Sequence, residues 1–283
     1  MPKIFTEQFF RFLAFLIISI ISWQTFPDDY WGPYKAINPH AITEFIVTIL
    51  FISALGRLSI LVLGNRYGLI LTGVVGGFAS STATIYSMGV ANQRDPSAHT
   101  GAIFGAILSS VSTLLQILLL CQLLAPQLIS LSLQPVGTGL ATMMLVSFLS
   151  FKKYESDQEN QGISITETEI VNWKSLLTLT FAVTSISFLS GMLFSKFGNS
   201  ALPFIAAISG LADAHAVIPS LAAFINQGTL QPKDALLPIM IAFTVNTCTK
   251  CLIAFQAGGR KFGFKVSAGL ALTAAGAWLG LIF

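Results

Sequence analysis

The sequence reads GGFASSTAT at residues 76–84 and SGLADAHAV at residues 209–217. Both stretches place glycine and small polar residues in the middle of a long apolar segment. Such residues are poor filler for a lipid-facing helix, and paired interruptions of this kind are the best indication in a sequence of a transporter's binding site. We therefore predict helix breaks at Gly76, Gly77 and Gly210, inside membrane-embedded segments.

Composition supports a membrane protein. The chain has 283 residues, of which 54% are hydrophobic and 10% charged, and its mean hydropathy is +0.76. Soluble domains carry about 25% charged residues. The apolar runs are long enough to cross about 30 Å of hydrocarbon several times. We predict an all-α polytopic membrane protein. The net charge of +3 is small and falls in loops, so nucleic acid is not an expected partner.

Nine segments have the length and hydropathy of transmembrane helices. The first resembles a signal peptide, but no cleavage site with small residues follows it, so we interpret it as a retained span. The segments lie near residues 8–26, 41–64, 67–90, 100–124, 127–151, 173–196, 200–226, 234–256 and 262–283.

Two internal repeats are predicted. Asn-Gln follows each interruption, at Asn92 and Asn226, and positions 20 and 24 residues further on match as well. The domains are then a first span with an interfacial loop, repeat one, a polar linker and repeat two, at residues 1–40, 41–151, 152–172 and 173–283. Four spans in each repeat give a parallel arrangement by simple counting. An inverted repeat requires a re-entrant segment, and the sequence leaves both alternatives open.

Basic residues indicate the orientation weakly. Counting along nine spans places eight Lys and Arg side chains on the side of the N-terminus and six on the other. This bias favours a cytoplasmic N-terminus in a multi-pass protein of the cell inner membrane. The same count places Arg94 on the opposite side from Arg260 and Lys261.

Asp213 is the most informative single residue. A charge at the centre of a bilayer costs at least about 2.5–3.5 kcal/mol, so it faces the protein interior and needs a partner. We interpret it as a cation or proton site, with a helix-packing ion pair as the alternative. Lys250 on the following span is the expected partner, with Asn246 one turn earlier. The ion pair of Asp213 and Lys250 either has a purely structural role or is broken when a substrate or a proton binds.

The remaining polar residues allow two interpretations each. His215 either takes part in proton coupling, since the pKa of histidine is about 6.5, or is a neutral side chain bonded to a backbone carbonyl. Ser80, Ser81 and Thr82 either bind an ion and satisfy unwound backbone, or allow close packing of helices. Exposed helix N-termini favour an anion, and unwound carbonyls favour a cation. The sequence does not identify a metal.

We predict a transporter of a small ion or solute, with proton coupling as an option. A channel is the main alternative, and an intramembrane enzyme or a non-transporting subunit is disfavoured. No catalytic residue and no bound cofactor are expected, and a homo-oligomer stays open. The predicted site lies near the membrane midplane and comprises Ser80, Ser81, Thr82, Asp213, His215, Asn246 and Lys250.

These motifs resemble a known family. Asn65-Arg66-Tyr67-Gly68, the two interrupted stretches, and the later Asn246 and Lys250 resemble the bacterial membrane family catalogued as domain of unknown function four thousand and ten. That family often follows an MgtC/SapB-type membrane domain in one chain. The resemblance implies the same fold and a transporter-like role, but no substrate. This sequence departs from the family pattern at Arg57, Gln116 and His215.

Overall fold

The structure is a computed structural model that describes residues 14, 17–18, 21, 24–32, 34–63, 68–94, 99–151 and 173–282. Most of the predicted first span and all of the predicted linker 152–172 lie outside these residues. The described residues are helical apart from short connections, and the only strand-like pairing among them is one bridge between Trp31 and Ile37. The predicted all-α fold is confirmed for this part of the chain.

The helices follow the apolar segments of the sequence. Turns of 310 helix connect some of them, and proline occurs in the first turn of each of two such connections, where its missing N–H costs no hydrogen bond. In chain order the helices are α1 (Pro39–Leu63), α2 (Gly68–Arg94), α3 (His99–Leu108), α4 (Ser110–Leu124), α5 (Ile129–Phe151), α6 (Trp173–Phe197), α7 (Leu202–Ala212), α8 (Ile218–Asn226) and α9 (Leu236–Ile282).

Two of these helices are interrupted internally. In α2 the backbone of Ser80 is extended, with φ −173° and ψ 109°. In α9 the backbone of Gly259 has φ 75° and ψ −177°. A positive φ is readily adopted only by glycine, so the sequence of α9 suits a break at this residue.

Four helical stretches of the described residues are long and apolar enough to cross a membrane. They are His99–Leu124, Pro126–Phe148, Thr180–Ala212 and Pro232–Ile282. Large apolar side chains on them are exposed, for example Phe181, Leu252 and Phe264, which is unfavourable in water but suits a lipid-facing surface. These features fit a membrane protein, and the number of nine crossings stays a prediction.

Contacts divide the chain into two units, and each combines segments from both halves of the sequence. The first unit consists of Met1–Ala54, Gln116–Ser132 and Glu169–Asn246, and it contains α6, α7 and α8. The second unit consists of Leu55–Leu115, Leu133–Thr168 and Thr247–Phe283, and it contains α2 and α3. The two interrupted stretches therefore belong to different units.

A candidate binding site at two helix breaks

The first break lies at Ser80, in the second unit. Ser80 Oγ accepts a hydrogen bond from the backbone N–H of Ala83 at 3.2 Å. A serine that caps the N-terminus of a helix makes the same bond to the third residue after it. Ser80 therefore ends one arm of α2 and starts another.

Three glycines of the arm before Ser80 lie where a side chain has no room. A Cβ atom at Gly73 would overlap the backbone of Gly105, and one at Gly77 would overlap the carbonyl oxygen of Ser109. A Cβ at Gly76 would lie 2.8 Å from Thr84 Oγ1, on the other side of the break. Small residues let helix backbones approach closely in membranes. Here they bring the first arm against both α3 and the second arm.

A buried lysine is linked to this break. Lys250 is 1% exposed, and its Nζ donates a hydrogen bond to Thr113 Oγ1 at 2.8 Å. Thr113 Oγ1 lies 3.1 Å from Ser81 Oγ. An ammonium group only donates, so the proton of the Thr113 hydroxyl goes to another acceptor, and Ser81 Oγ is within reach. A chain of polar groups thus leads from Lys250 to the residue after the break.

The second break lies at Asp213, in the first unit. Its backbone is extended, with φ −163° and ψ 147°, and it ends α7. Residues 214–217 form turns before α8 begins at Ile218. Gly210 in α7 packs on the backbone of Ala242, whose Cα would lie 2.9 Å from a Cβ at this position. A glycine three residues before the break therefore again permits a close helix contact.

Asp213 and His215 are in direct contact. Asp213 Oδ1 accepts the backbone N–H of His215 at 2.8 Å and also contacts the ring Nδ1 of that residue. The side chain of His215 is 7% exposed and that of Asp213 is 45% exposed. The carboxylate is therefore fixed on one side by His215 while it stays accessible on the other.

The far end of α8 is fastened by several contacts within the first unit. The ring of Phe224 stacks on that of Phe194, with centroids 4.2 Å apart. Asn226 Nδ2 donates to the carbonyl oxygen of Leu124 at 3.2 Å. Gln227 Nε2 donates to the carbonyl oxygen of Lys35 at 2.8 Å. The end of α8 thus lies beside the end of α6, the end of α4 and the first loop.

Tyr30 in this loop also reaches the end of α8. Burial raises the pKa of Tyr30, while hydrogen bonds to the side chains of Asn38 and Asn226 act in the opposite direction. Asn38 Nδ2 donates to Asp28 Oδ1 at 2.7 Å. The first loop therefore continues the polar contacts made by Asn226.

The far end of α2 is fastened in a similar way within the second unit. Asn92 Nδ2 donates to the carbonyl oxygen of Gly258 at 3.3 Å, and Asn92 Oδ1 bonds to His99 Nδ1. His99 Nε2 lies 3.1 Å from Lys265 Nζ. Because the lysine only donates, Nε2 accepts and Nδ1 carries the proton. These bonds hold the end of α2 against the start of α3 and the break in α9.

The predicted site residues fall into two groups. The second unit brings Ser80 and Ser81 together with Lys250, and Thr82 follows in the same turn. The first unit brings Asp213 together with His215; it also contains Asn246, which is buried in α9. The union of both groups in one chamber stays a prediction, as does the pairing of Asp213 with Lys250.

Sequence reasoning missed Thr113, the residue that joins Lys250 to Ser81. Thr113 follows a regular pattern of contacts, because Gly77 meets Ser109 and Ser81 meets Thr113 at one constant spacing along the chain. That spacing becomes visible only when the helices are seen side by side. Among the described ranges, no group of three or more His, Cys, Asp and Glu residues is arranged to hold a metal ion.

One comparison with known proteins identifies a family. A family model described as Domain of unknown function (DUF4010) matches residues 47–258, about three quarters of the chain. No curated protein matches the chain, and no solved structure does.

Proposed function

We propose that this chain, which belongs to the DUF4010 family, is an integral membrane transporter of a small ion or solute. One observation carries the proposal: the helical backbone of an apolar chain breaks at two polar residues, inside α2 and between α7 and α8, and a charged side chain is connected to each break. Polar backbone and charges at membrane depth are costly, and they occur where a protein binds or conducts a polar species.

Helix bounds support two structural repeats around these interruptions. Helix α1 spans Pro39–Leu63, and α6 spans Trp173–Phe197, which is the same length 134 residues later. Asn92 bonds to the carbonyl of Gly258, while Asn226 bonds to the carbonyl of Leu124. Residue 92 plus 134 is residue 226, and residue 124 plus 134 is residue 258. The two bonds therefore join corresponding residues of the two repeats, with the roles of the repeats exchanged. Internal structural repeats are found in many secondary transporters.

The two breaks suit different parts of a transport cycle. Asp213 with His215 is the proposed proton or cation site, because the carboxylate is accessible and has a titratable neighbour. Ser81, Thr113 and Lys250 form a set of hydrogen-bond donors that suits a polar or anionic solute. We propose the cell inner membrane as the location. The association with MgtC/SapB-type domains stays an expectation from the family resemblance.

Transport by the purified protein in liposomes tests the proposal. Flux of a panel of ions and small solutes is followed together with a pH-sensitive dye inside the vesicles. We expect the flux to saturate with substrate concentration. Lys250→Met is expected to abolish the flux, and Asp213→Asn is expected to remove its dependence on pH. Asp234→Asn and Lys233→Met remove the same kinds of charge in the connection Pro232–Ala235, outside the breaks, and are expected to transport like the unmodified protein.

Folding is checked for every variant by size-exclusion chromatography, so that a loss of flux is not confused with a loss of structure. The proposal is wrong if well-folded protein moves none of the tested species. Flux that never saturates with concentration would indicate a channel instead. Unchanged pH dependence in folded Asp213→Asn would exclude Asp213 as the coupling residue.

A further inference from the structure

We infer that residues 68–94 and residues 202–226 do not cross the membrane but form re-entrant hairpins, each entering and leaving at one face with its tip at Ser80 or Asp213. This inference goes beyond the proposed function and does not depend on transport. It rests on the direction in which each arm runs along its neighbours within one unit.

The first arm of α2 runs parallel to α3 and α4. Gly73 packs on Gly105, Gly77 on Ser109, and Ser81 bonds to Thr113. Residue numbers in both partners rise together by four at each step. Two consecutive membrane spans joined by a short loop run antiparallel, and in such a pair one number falls as the other rises. The first arm therefore does not form a simple pair of crossings with α3 and α4.

The second arm of α2 returns to its starting level. Ser81 lies beside Thr113, yet Asn92 bonds to His99, at the start of α3. If α2 continued in one direction, Asn92 would lie about 16 Å beyond Ser81, further still from His99. The observed bond requires the second arm to run back along α3 and α4. Gly89 in the second arm also packs on Ala257 and Gly258 of α9.

The two arms also touch each other across the tip. Gly76 and Thr84 flank Ser80 at four residues on each side. A Cβ at Gly76 would lie 2.8 Å from Thr84 Oγ1 and 3.7 Å from Thr84 Cβ. Residues eight apart in a continuous helix are separated by about 12 Å along the axis. The chain therefore folds back at Ser80.

The segment 202–226 behaves in the same way in the first unit. Phe194 precedes α7 by a few residues, and its ring stacks on Phe224 at the end of α8. A straight helix from Leu202 to Asn226 would be about 36 Å long and would carry Phe224 far from Phe194. Helix α6 packs against both α7 and α8, as the two arms of a hairpin require.

Re-entrance changes the count of membrane crossings. Seven of the nine predicted segments then cross, and each repeat holds three crossings and one hairpin. An odd number of crossings reverses the direction in which the next repeat enters the bilayer, so the repeats are inverted rather than parallel. Irregular backbone at membrane depth is tolerated where protein buries it or where it lines a water-filled cavity. Each hairpin makes its polar tip reachable from one face.

A disulfide across the tip tests the fold-back directly. In a variant whose native cysteines Cys121, Cys248 and Cys251 are replaced by alanine, the pair Gly76→Cys and Thr84→Cys is expected to cross-link under mild oxidation. Their Cβ separation of 3.7 Å matches that of disulfides. The control pair Gly137→Cys and Leu145→Cys is also eight residues apart, but in the helical part of α5 that follows Pro135, and is expected to stay reduced.

Labelling with a membrane-impermeant maleimide tests re-entrance itself and needs no disulfide to form. Single cysteines at Arg94 and Arg260 are expected to react from one and the same face of oriented vesicles, and those at Gln127 and Gln231 likewise from one face. A cysteine at Ile282 is expected to react from the face opposite to Arg260. Nine crossings predict opposite faces for both pairs, and that result would overturn the inference even if the disulfide forms.

Discussion

The break at Ser80 and the break at Asp213 have the same backbone and different chemistry. Both residues are extended, and both cap the following turn with a side-chain oxygen. Both follow, after three residues, a glycine that packs on backbone atoms of another segment, Ser109 in one case and Ala242 in the other. At Ser80 a helical arm resumes at once, whereas turns follow Asp213. The same backbone conformation therefore occurs with a neutral side chain at Ser80 and with a charged one at Asp213.

The two units also differ in charge. The described residues of the second unit contain no Asp or Glu, and its charge nearest the break is Lys250. The first unit contains Asp213 in the break itself and four other acidic residues in its described part. At the Ser80 break the charged group is Lys250, which is connected to the break through Thr113. At the other break the charged side chain belongs to the break residue itself, Asp213. This contrast indicates that the two breaks have separate roles in the proposed transport.

The largest expected loss of stability tests whether both breaks require a glycine in close contact with neighbouring backbone. Gly77→Leu and Gly210→Leu each place a side chain into the backbone of a neighbouring helix. We expect each to lower the free energy of unfolding by about 3 kcal/mol, the upper end of the usual cost of overpacking, because backbone overlap is not relieved by side-chain rotation. Folded yield and thermal unfolding in detergent measure this loss.

Gly137→Leu is the control, since nothing lies within 4 Å of a Cβ at that position in α5. Equal and severe losses at Gly77 and Gly210 would strengthen the comparison. Normal folding of either variant would show that the close approach at that break is not required.

An intermediate effect is expected at Thr113, which connects the charge to the neutral break. Thr113→Val removes the acceptor of the Lys250 bond while it preserves shape. We expect a loss of about 1.5–3 kcal/mol, the value of a hydrogen bond to a charged group. Thermal unfolding followed by tryptophan fluorescence measures it.

Thr273→Val provides the matched control in the same unit. Thr273 is as buried as Thr113, but its hydroxyl donates to the carbonyl of Gly269 in its own helix. Loss of this neutral bond is expected to cost about 0.5–1.5 kcal/mol. Equal losses at the two threonines would remove the special role that we assign to Thr113.

The smallest expected loss of stability distinguishes the contribution of a capping oxygen from that of the charge on Asp213. Ser80→Ala removes the capping oxygen at its break and is expected to cost about 1 kcal/mol. Asp213→Asn keeps a capping oxygen, so its stability is expected to change by only a few tenths of a kcal/mol. The same thermal unfolding assay applies to both. A loss of about 3–5 kcal/mol in Asp213→Asn would instead indicate that Asp213 neutralises a buried cation, as the sequence predicts for Lys250.

Local composition made part of the fold predictable. Glycine and hydroxyl side chains in an apolar run form a poor continuous helix, and they led to predicted breaks at Gly76, Gly77 and Gly210. These glycines are helical; the backbone becomes irregular three or four residues later, at Ser80 and Asp213. The sequence singled out Asp213 as a costly buried charge with Lys250 as its partner. In the structure Lys250 is 1% exposed, whereas the side chain of Asp213 is 45% exposed. Direction was harder to predict, because a chain that crosses and a chain that turns back have the same hydropathy. Counting spans therefore placed Arg94 opposite Arg260, although Asn92 bonds to Gly258.

The amino-acid sequence by itself determined that the chain is helical and apolar, and it placed Lys250, which is buried, inside an apolar segment. These properties follow from the chemistry of neighbouring residues along the chain. Only the tertiary structure decided that Gly76 meets Thr84 across the tip and that Thr113 joins Lys250 to Ser81. Such contacts join residues from different helices or arms, and they arise because the packed helices leave one arrangement in which small residues touch and polar groups find partners.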